Sequence, residues 1–178
     1  KTVRISTTAS FRSGRNTAGQ IAIEAEIEDA PKRVFVQYVE GTGAVGGWGK
    51  STLRKYLYNT ILSKFPENVR AHFKTVLKNH TECNTSGDSY KHTIEEIVSI
   101  PSYPELFHDS SETNQPRYKA LFPNNASRIK KCVGETNASP WWTRETYSNH
   151  AFRYVSTSGS GYTNSPNYSR GVSLCFFT

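Results

Sequence analysis

Three groupings in this sequence have residue types that could do chemistry. The first is Gly43-Ala44-Val45-Gly46-Gly47-Trp48-Gly49-Lys50-Ser51. A glycine-rich turn between a strand and a helix, ending in Gly-Lys-Ser, can cradle phosphate on its backbone amides. That loop needs glycine where Ala44 stands, and Trp48 puts a bulky ring where the loop must wrap its ligand. Nucleotide hydrolysis is not expected. The second grouping is the histidines and cysteines. His72, His80, His92, His108 and His150 form neither HxxxH nor HExxH, and read as surface residues. His80 lies three residues before Cys83, but two ligands do not make a zinc site. The third is Glu95-Glu96. Neighbours in a strand point to opposite faces, so the pair is poorly placed for acid–base work. There is also no GxSxG turn to expose a serine nucleophile. No catalytic residue, metal ligand or cofactor is expected.

Binding chemistry is better represented. Residues 143–170 read TRETYSNHAFRYVSTSGSGYTNSPNYSR. Twenty of these 28 are Ser, Thr, Asn, Tyr, Gly or His, which is the composition of a paratope. Tyrosine supplies contact area at low entropic cost, while serine, glycine and asparagine supply adaptable hydrogen bonds. The contact residues expected are Tyr147, Ser148, Asn149, His150, Arg153, Tyr154, Tyr162, Asn164, Asn167 and Tyr168. Arg153 is suited to an anionic group.

These residues need a scaffold. Trp141–Thr146, Ala151–Thr157 and Gly171–Thr178 read as strands, with residues 158–161 (SGSG) between them. At least one of Trp141 and Trp142 is expected in the core. Upstream, Lys1–Thr8 reads as an edge strand, residues 21–29 as a half-buried strand and residues 34–39 as a strong strand. Ser51 can cap a helix to about Leu62, with Leu53, Leu57 and Ile61 on one face. Pro66 and Glu67 suit the start of a second helix to about Lys78, with Val69, Phe73, Val76 and Leu77 as its apolar face. Residues 79–93 read as polar loop, residues 95–100 as a short strand, and 108–115 as a loop. Ser102 and Glu105 match a capping box opening a short helix through Phe107. Residues 117–133 carry no clear pattern.

At 178 residues the chain reads as a single domain. Aromatics at 12 % of residues, with hydrophobics at 35 %, favour a β-rich core with some helix. The net charge of +7 concentrates in residues 50–78, where seven Lys and Arg face Glu67 alone. That segment reads as a solvated helix face or a docking surface for an acidic neighbour, with nucleic acid as the rival partner. Cys83, Cys132 and Cys175 are an odd set without CxxC; Cys175 is expected buried, and a Cys83–Cys132 disulfide is left open. Sequons at Asn79, Asn84, Asn125, Asn137 and Asn167 matter only in a secreted eukaryotic protein. No apolar run reaches 18 residues, so no membrane insertion is expected. A start at Lys1 without any Met is what is expected of a processed product or a piece of something longer.

Trp48, Ser51, Leu53, Arg54, Tyr56 and Leu57 resemble the W-x-x-S-x-L-R-x-aromatic-Leu helix of a family of uncharacterised domains of phages and gut bacteria. The likeness continues in order through Ile97–Ser102, Trp141-Trp142, Tyr154-Val155, Gly159 and Gly171-Val172. Thr143-Arg144-Glu145 and Ser173-Leu174 depart from the family's Leu-Arg-Ser and Arg-Pro. The family resembles the C-type-lectin-like fold, shared by variable proteins of diversity-generating retroelements and by formylglycine-generating enzymes. The resemblance implies an α+β fold with two helices packed on small antiparallel sheets. It also implies a rigid scaffold displaying a changeable, non-enzymatic binding face. The implied setting is a phage tail-fibre tip or bacterial surface adhesin, part of a larger assembly, and the ligand a cell-surface protein or glycan. Two rivals are an enzyme of formylglycine-generating type, with Cys132 and Cys175 as the only distal thiols, and a nucleic-acid binder using Lys50, Arg54 and Lys55. With only Glu145 acidic in residues 141–178, calcium-mediated sugar binding is not expected.

Overall fold

The computed structural model describes residues 3–4, 22–23, 26–27, 38, 43–107, 118, 121–131, 135–168 and 170–177. They form a mixed α/β arrangement of short helices and small antiparallel sheets. The expected strand at residues 34–39, apart from Tyr38, and the loop at 108–115 lie outside these residues.

The N-terminal strands are short. β1 (Val3–Arg4) pairs with β3 (Glu26–Ile27), while β2 (Ala22–Ile23) joins a different sheet. Within the expected strand at 21–29, the described residues Ala22–Ile23 and Glu26–Ile27 are extended and pair in different sheets.

The glycine run leads into α1 (Gly47–Lys50). Gly46 and Gly47 take φ of 80° and 52°, which side chains disfavour. A Cβ at Gly47 would stand 2.9 Å from Thr146 Oγ1, so the glycine serves close backbone packing. Ser51 then accepts from the Arg54 amide at 3.0 Å and caps α2 (Thr52–Tyr56), as its sequence predicts. The helix runs on through a π turn (Leu57–Ile61) and a 3-10 turn (Leu62–Lys64). Leu53, Leu57, Ile61 and Phe65, four residues apart, bury one face.

The expected second helix is cut short. α3 spans only Glu67–Arg70, and the chain enters β4 (Val76–Cys83). β4 pairs with β5 (Ser89–Glu96) in an unbroken register from Val76↔Glu96 to Cys83↔Ser89. The expected polar loop at 79–93 is therefore a hairpin. Its turn is closed by Asn84, whose side chain accepts from the Asp88 amide at 2.9 Å, and by Gly87 at φ 91°. The physical reason for the misreading is inverted patterning. Leu77 is 70 % exposed, whereas Lys78, His80 and Glu82 point inward at 2 %, 1 % and 6 %. A strand with ionisable residues on its buried face looks like loop.

β6 (Val98–Ser99) takes up the apolar end of the expected 95–100 strand. It pairs with β12 (Cys175–Phe177), which also pairs with β2. The Ser102–Glu105 capping box forms on α4 (Tyr103–Phe107), with Glu105 N donating to Ser102 Oγ and Ser102 N to Glu105 Oε2 at 2.7 Å. α5 (Asn125–Arg128) is capped by Asn124 and precedes the small pair β7 (Lys130–Lys131) and β8 (Ala138–Ser139).

The sheet β9 (Trp141–Ser148), β10 (Ala151–Val155) and β11 (Gly161–Asn164) is covered on both faces. Trp142 and Phe152 face one core with Tyr38, Trp48, Leu53 and Phe176. Trp141 and Val155 face another with Leu106, Tyr118 and Phe122. Both tryptophans are thus core. The register of β9 on β10 jumps from Thr146↔Phe152 to Trp142↔Tyr154. Residues 143–145 bulge off β10, and the Arg144 amide turns to Pro101 O at 3.0 Å.

Candidate functional site

β10 sorts the expected contact residues onto two faces, because alternate side chains of a strand point oppositely. On one face lies Arg153. Its guanidinium carbon sits 4.2 Å from the Tyr103 ring centre and 5.0 Å from that of Tyr147. Tyr103 stacks in turn on Phe107 at 4.3 Å, and the Arg128 guanidinium carbon lies 4.2 Å from the Phe107 ring centre. The result is a ladder of cations and rings, Arg128, Phe107, Tyr103, Arg153 and Tyr147, from buried Arg128 to Tyr147, which is 55 % exposed. Gly161 is what lets Tyr103 lie there, since a Cβ at that position would collide with its ring.

On the other face, Tyr154 stands opposite Tyr162 in register and stacks on it at 6.0 Å. Tyr154 also meets Trp142 edge-on at 5.9 Å. The Arg170 guanidinium lies 3.5 Å above the Tyr154 ring centre, 5.2 Å from that of Trp142 and 6.0 Å from that of Tyr168. Tyr162 and Tyr168 are 55 % and 54 % exposed. Such cation–ring contacts are worth about 0.5–2 kcal/mol each, more where water is excluded. Burial pulls the Arg170 guanidinium below its ordinary pKa, against an opposing pull from Tyr154.

The remaining expected contacts behave differently. Ser148, Asn149 and His150 form the β9–β10 turn, but Asn149 is a latch. Its side chain donates to Thr85 O at 3.1 Å and its carbonyl accepts from Ala44 N at 2.8 Å. His150 is exposed. Asn164 accepts from the Ser165 amide at 2.8 Å, and Asn167 is exposed in the turn before Tyr168. The SGSG segment connects β10 to β11 as expected but is not loose. Arg128 Nε donates to Gly159 O at 3.0 Å and Asn125 Nδ2 to Ser160 Oγ at 3.1 Å.

Sequence reasoning missed Tyr103, Phe107, Arg128 and Arg170. Tyr103 and Phe107 stack four residues apart within α4, whereas Arg128 and Arg170 meet their rings only through the tertiary fold.

The polar interior holds these faces in place. Glu105 accepts from Arg144 Nη1 and Nη2 at 2.8 and 2.9 Å and from Lys78 Nζ at 3.0 Å, all three side chains being buried. Burial alone would raise the Glu105 pKa, but Arg144 and Lys78 prevail and hold it at about 2. The same partnership raises Arg144 despite its burial. Elsewhere Glu96 accepts from the Trp48 indole at 2.6 Å, Tyr58 Oη at 2.7 Å and Arg54 Nε at 2.9 Å. Burial, then the bond to Glu96, pushes the Tyr58 phenol up to about 12.

His80 is no surface histidine. It is 1 % exposed and meets Glu82 Oε1 at 2.8 Å, while Tyr90 Oη donates to Glu82 Oε2 at 3.0 Å. Burial lowers its pKa, outweighing Glu82. His72, His92 and His150 are exposed, and His108 lies outside the described residues.

The glycine loop is not arranged for phosphate. The Ala44, Gly46 and Gly47 amides donate to Asn149 O, Cys83 O and Ala44 O, and Trp48 is fully buried. The basic 50–78 segment is divided as well: Arg54 is paired with Glu96 and Lys78 is buried against Glu105, while Lys50, Lys55, Arg70 and Lys74 are exposed. Cys83 and Cys175 are free, buried thiols, which excludes the disulfide left open for Cys83; burial pushes Cys175 up to about 12. No helix among the described residues is long and apolar enough to cross a membrane.

Comparison with known proteins finds no match among curated proteins or solved structures. A family model does match, over residues 32–177, described as a domain of unknown function, DUF6273. The match takes in the capped α2 helix, the Glu105–Arg144 pair, both tryptophans and both aromatic ladders, and the chain belongs to the DUF6273 family.

Proposed function

We propose that this chain is a non-enzymatic ligand-binding module on a C-type-lectin-like scaffold. It presents the β9–β11 region to a protein or glycan on a cell surface. A phage tail-fibre tip or a bacterial surface adhesin would be its setting, and targeting by a diversity-generating retroelement its source of variation. One observation carries the reading. Tyr147 beside Arg153, and Tyr162 and Tyr168 beside Tyr154 on the opposite face, are each more than half exposed, flanking a sheet whose Trp141, Trp142 and Phe152 are at most 1 % exposed. Rigid aromatic anchors on an immobile base lose little entropy on binding. The arginine contacts to Tyr147 and Tyr168 and the Tyr154 stack under Tyr162 hold these rings in place.

The test is a screen of the whole chain against arrays of cell-surface proteins and glycans, repeated with Tyr147, Tyr162 and Tyr168 all changed to Ala. The expected result is a specific ligand whose binding the triple variant loses. Undiminished binding by the triple variant would sink the reading. Sequencing of the encoding locus across a population tests the retroelement element separately. Replacements should gather at exposed positions of residues 143–170 and spare buried Arg144, Phe152, Val155 and Gly159.

A further inference from the structure

Several buried and half-buried cations among the described residues have acceptors. Arg54 has Glu96, Lys78 and Arg144 share Glu105, and Arg128 has the Gly159, Leu106 and Phe122 carbonyls with the Asn125 side chain. Arg170 has no carboxylate partner among the described residues, and its enclosed Nε has no hydrogen-bond partner there either. The sole acidic residue of 141–178, Glu145, accepts from the Thr81 amide at 2.8 Å. The Arg170 guanidinium carbon lies 3.5 Å from the Tyr154 ring centre, and a guanidinium that stacks through its face leaves N–H donors in its plane. A partly desolvated cation without a counter-charge is the arrangement that a ligand anion completes.

The ring faces on either side narrow the ligand class. Tyr162 stacks on Tyr154, and Tyr168 stands at 6.0 Å from the same guanidinium, both more than half exposed. A ligand that fits must offer a carboxylate rigidly joined to a flat C–H surface. A ring-borne sugar acid has this form. An Asp or Glu side chain places its carboxylate on a flexible methylene stem and offers no such surface.

We infer that Arg170, with Tyr154, Tyr162 and Tyr168, is a subsite for a carboxylate-bearing sugar, engaged by the arginine fork and the tyrosine faces without calcium. The inference rests on the binding-module reading and deepens it by naming the ligand class. It adds Arg170, which lies outside the tyrosine-rich motif's expected contacts.

The experiment is titration of the whole chain with D-glucuronate, followed by NMR of the tyrosine ring signals. D-glucose is the neutral control and glutarate the flexible carboxylate control. Glucuronate should move the Tyr154, Tyr162 and Tyr168 rings saturably, and at least about tenfold more tightly than either control. Arg170→Gln should weaken it about 10- to 100-fold, the effect of losing a charged hydrogen bond, with Arg170→Lys falling between. Equal binding of glucose or glutarate, an unaffected Arg170→Gln variant, or no response of these rings to glucuronate would each overturn the assignment. The wild-type ring shifts decide the matter even where a variant folds poorly. Failure here with continued sensitivity of array binding to the triple tyrosine variant removes the sugar-acid subsite alone. Loss of that sensitivity removes the binding-module reading itself.

Discussion

Arg144 and Glu105 meet through two parallel hydrogen bonds, at 2.8 and 2.9 Å, with both side chains at most 1 % exposed. The pair joins the bulge of β9 to the first turn of α4. Lys78 on β4 completes it from a third element. Breaking such a pair strands a charge in the interior, which costs more than the pair's own net contribution. Glu105→Gln is expected to lower stability by about 3–5 kcal/mol, measured by urea unfolding.

The same pair sets an acid limit. The Glu105 carboxyl lies at about 2 in the fold, below its ordinary value near 4.5. A depressed carboxylate contributes stability that is complete above the unfolded value and lost as pH falls through the folded one. Wild-type stability should therefore decline between about pH 4.5 and pH 2, by about 3 kcal/mol from this group. In Glu105→Gln that part of the decline should vanish from the pH dependence of the unfolding free energy.

His80 sets a second, milder acid response. Burial lowers its pKa, so the unfolded chain takes up a proton that the folded chain refuses. Its stabilising share is present above about pH 6.5 and falls as the pH drops from there toward the depressed folded value. His80→Gln should flatten the stability profile as the pH falls below about 6.5. An unchanged slope in thermal unfolding across that range would contradict the burial argument.

Gly159 ties the β10–β11 connection to α5. Its φ is 78°, and a Cβ there would overlap the Asn125 carbonyl oxygen. Gly159→Ala should cost about 2 kcal/mol or more, combining left-handed strain with displacement of α5. Release of Arg128 from Gly159 O should accompany it, seen as faster amide exchange at Ser160 and Gly161.

The exposed tyrosines should behave in the opposite way. Tyr147→Ala, Tyr162→Ala and Tyr168→Ala are each expected to cost less than about 1 kcal/mol of stability, because the rings cap their ladders at the solvent end. Circular dichroism melts of the single variants check this. Large losses would make these rings part of the core support and not a presented surface.

Local chemistry was legible in the sequence wherever neighbours along the chain supply the partner. Ser51 caps α2 through an amide three residues on, and Ser102 and Glu105 close their box over the same span. The strand runs around Trp141-Trp142 and Phe176-Phe177, and the apolar row from Leu53 to Ile61, show the burial that their periodicity demands. The tertiary structure alone decided the fate of the charges. Lys78 read as the end of a helix and His80 and Glu82 as loop, because an isolated strand cannot bury such groups; in the fold His80 and Glu82 pair with each other and Lys78 pairs with Glu105. Lys78 finds Glu105 27 residues away, and Arg144 finds it 39 away. The candidate site divides the same way. Its tyrosines stand out in composition, but Tyr103 from α4 and Arg170 join it only through cation–ring contacts with residues distant along the chain or brought beside them by the fold. A counter-charge or stacking partner that is distant along the chain leaves no periodic trace, so only the folded molecule displays it.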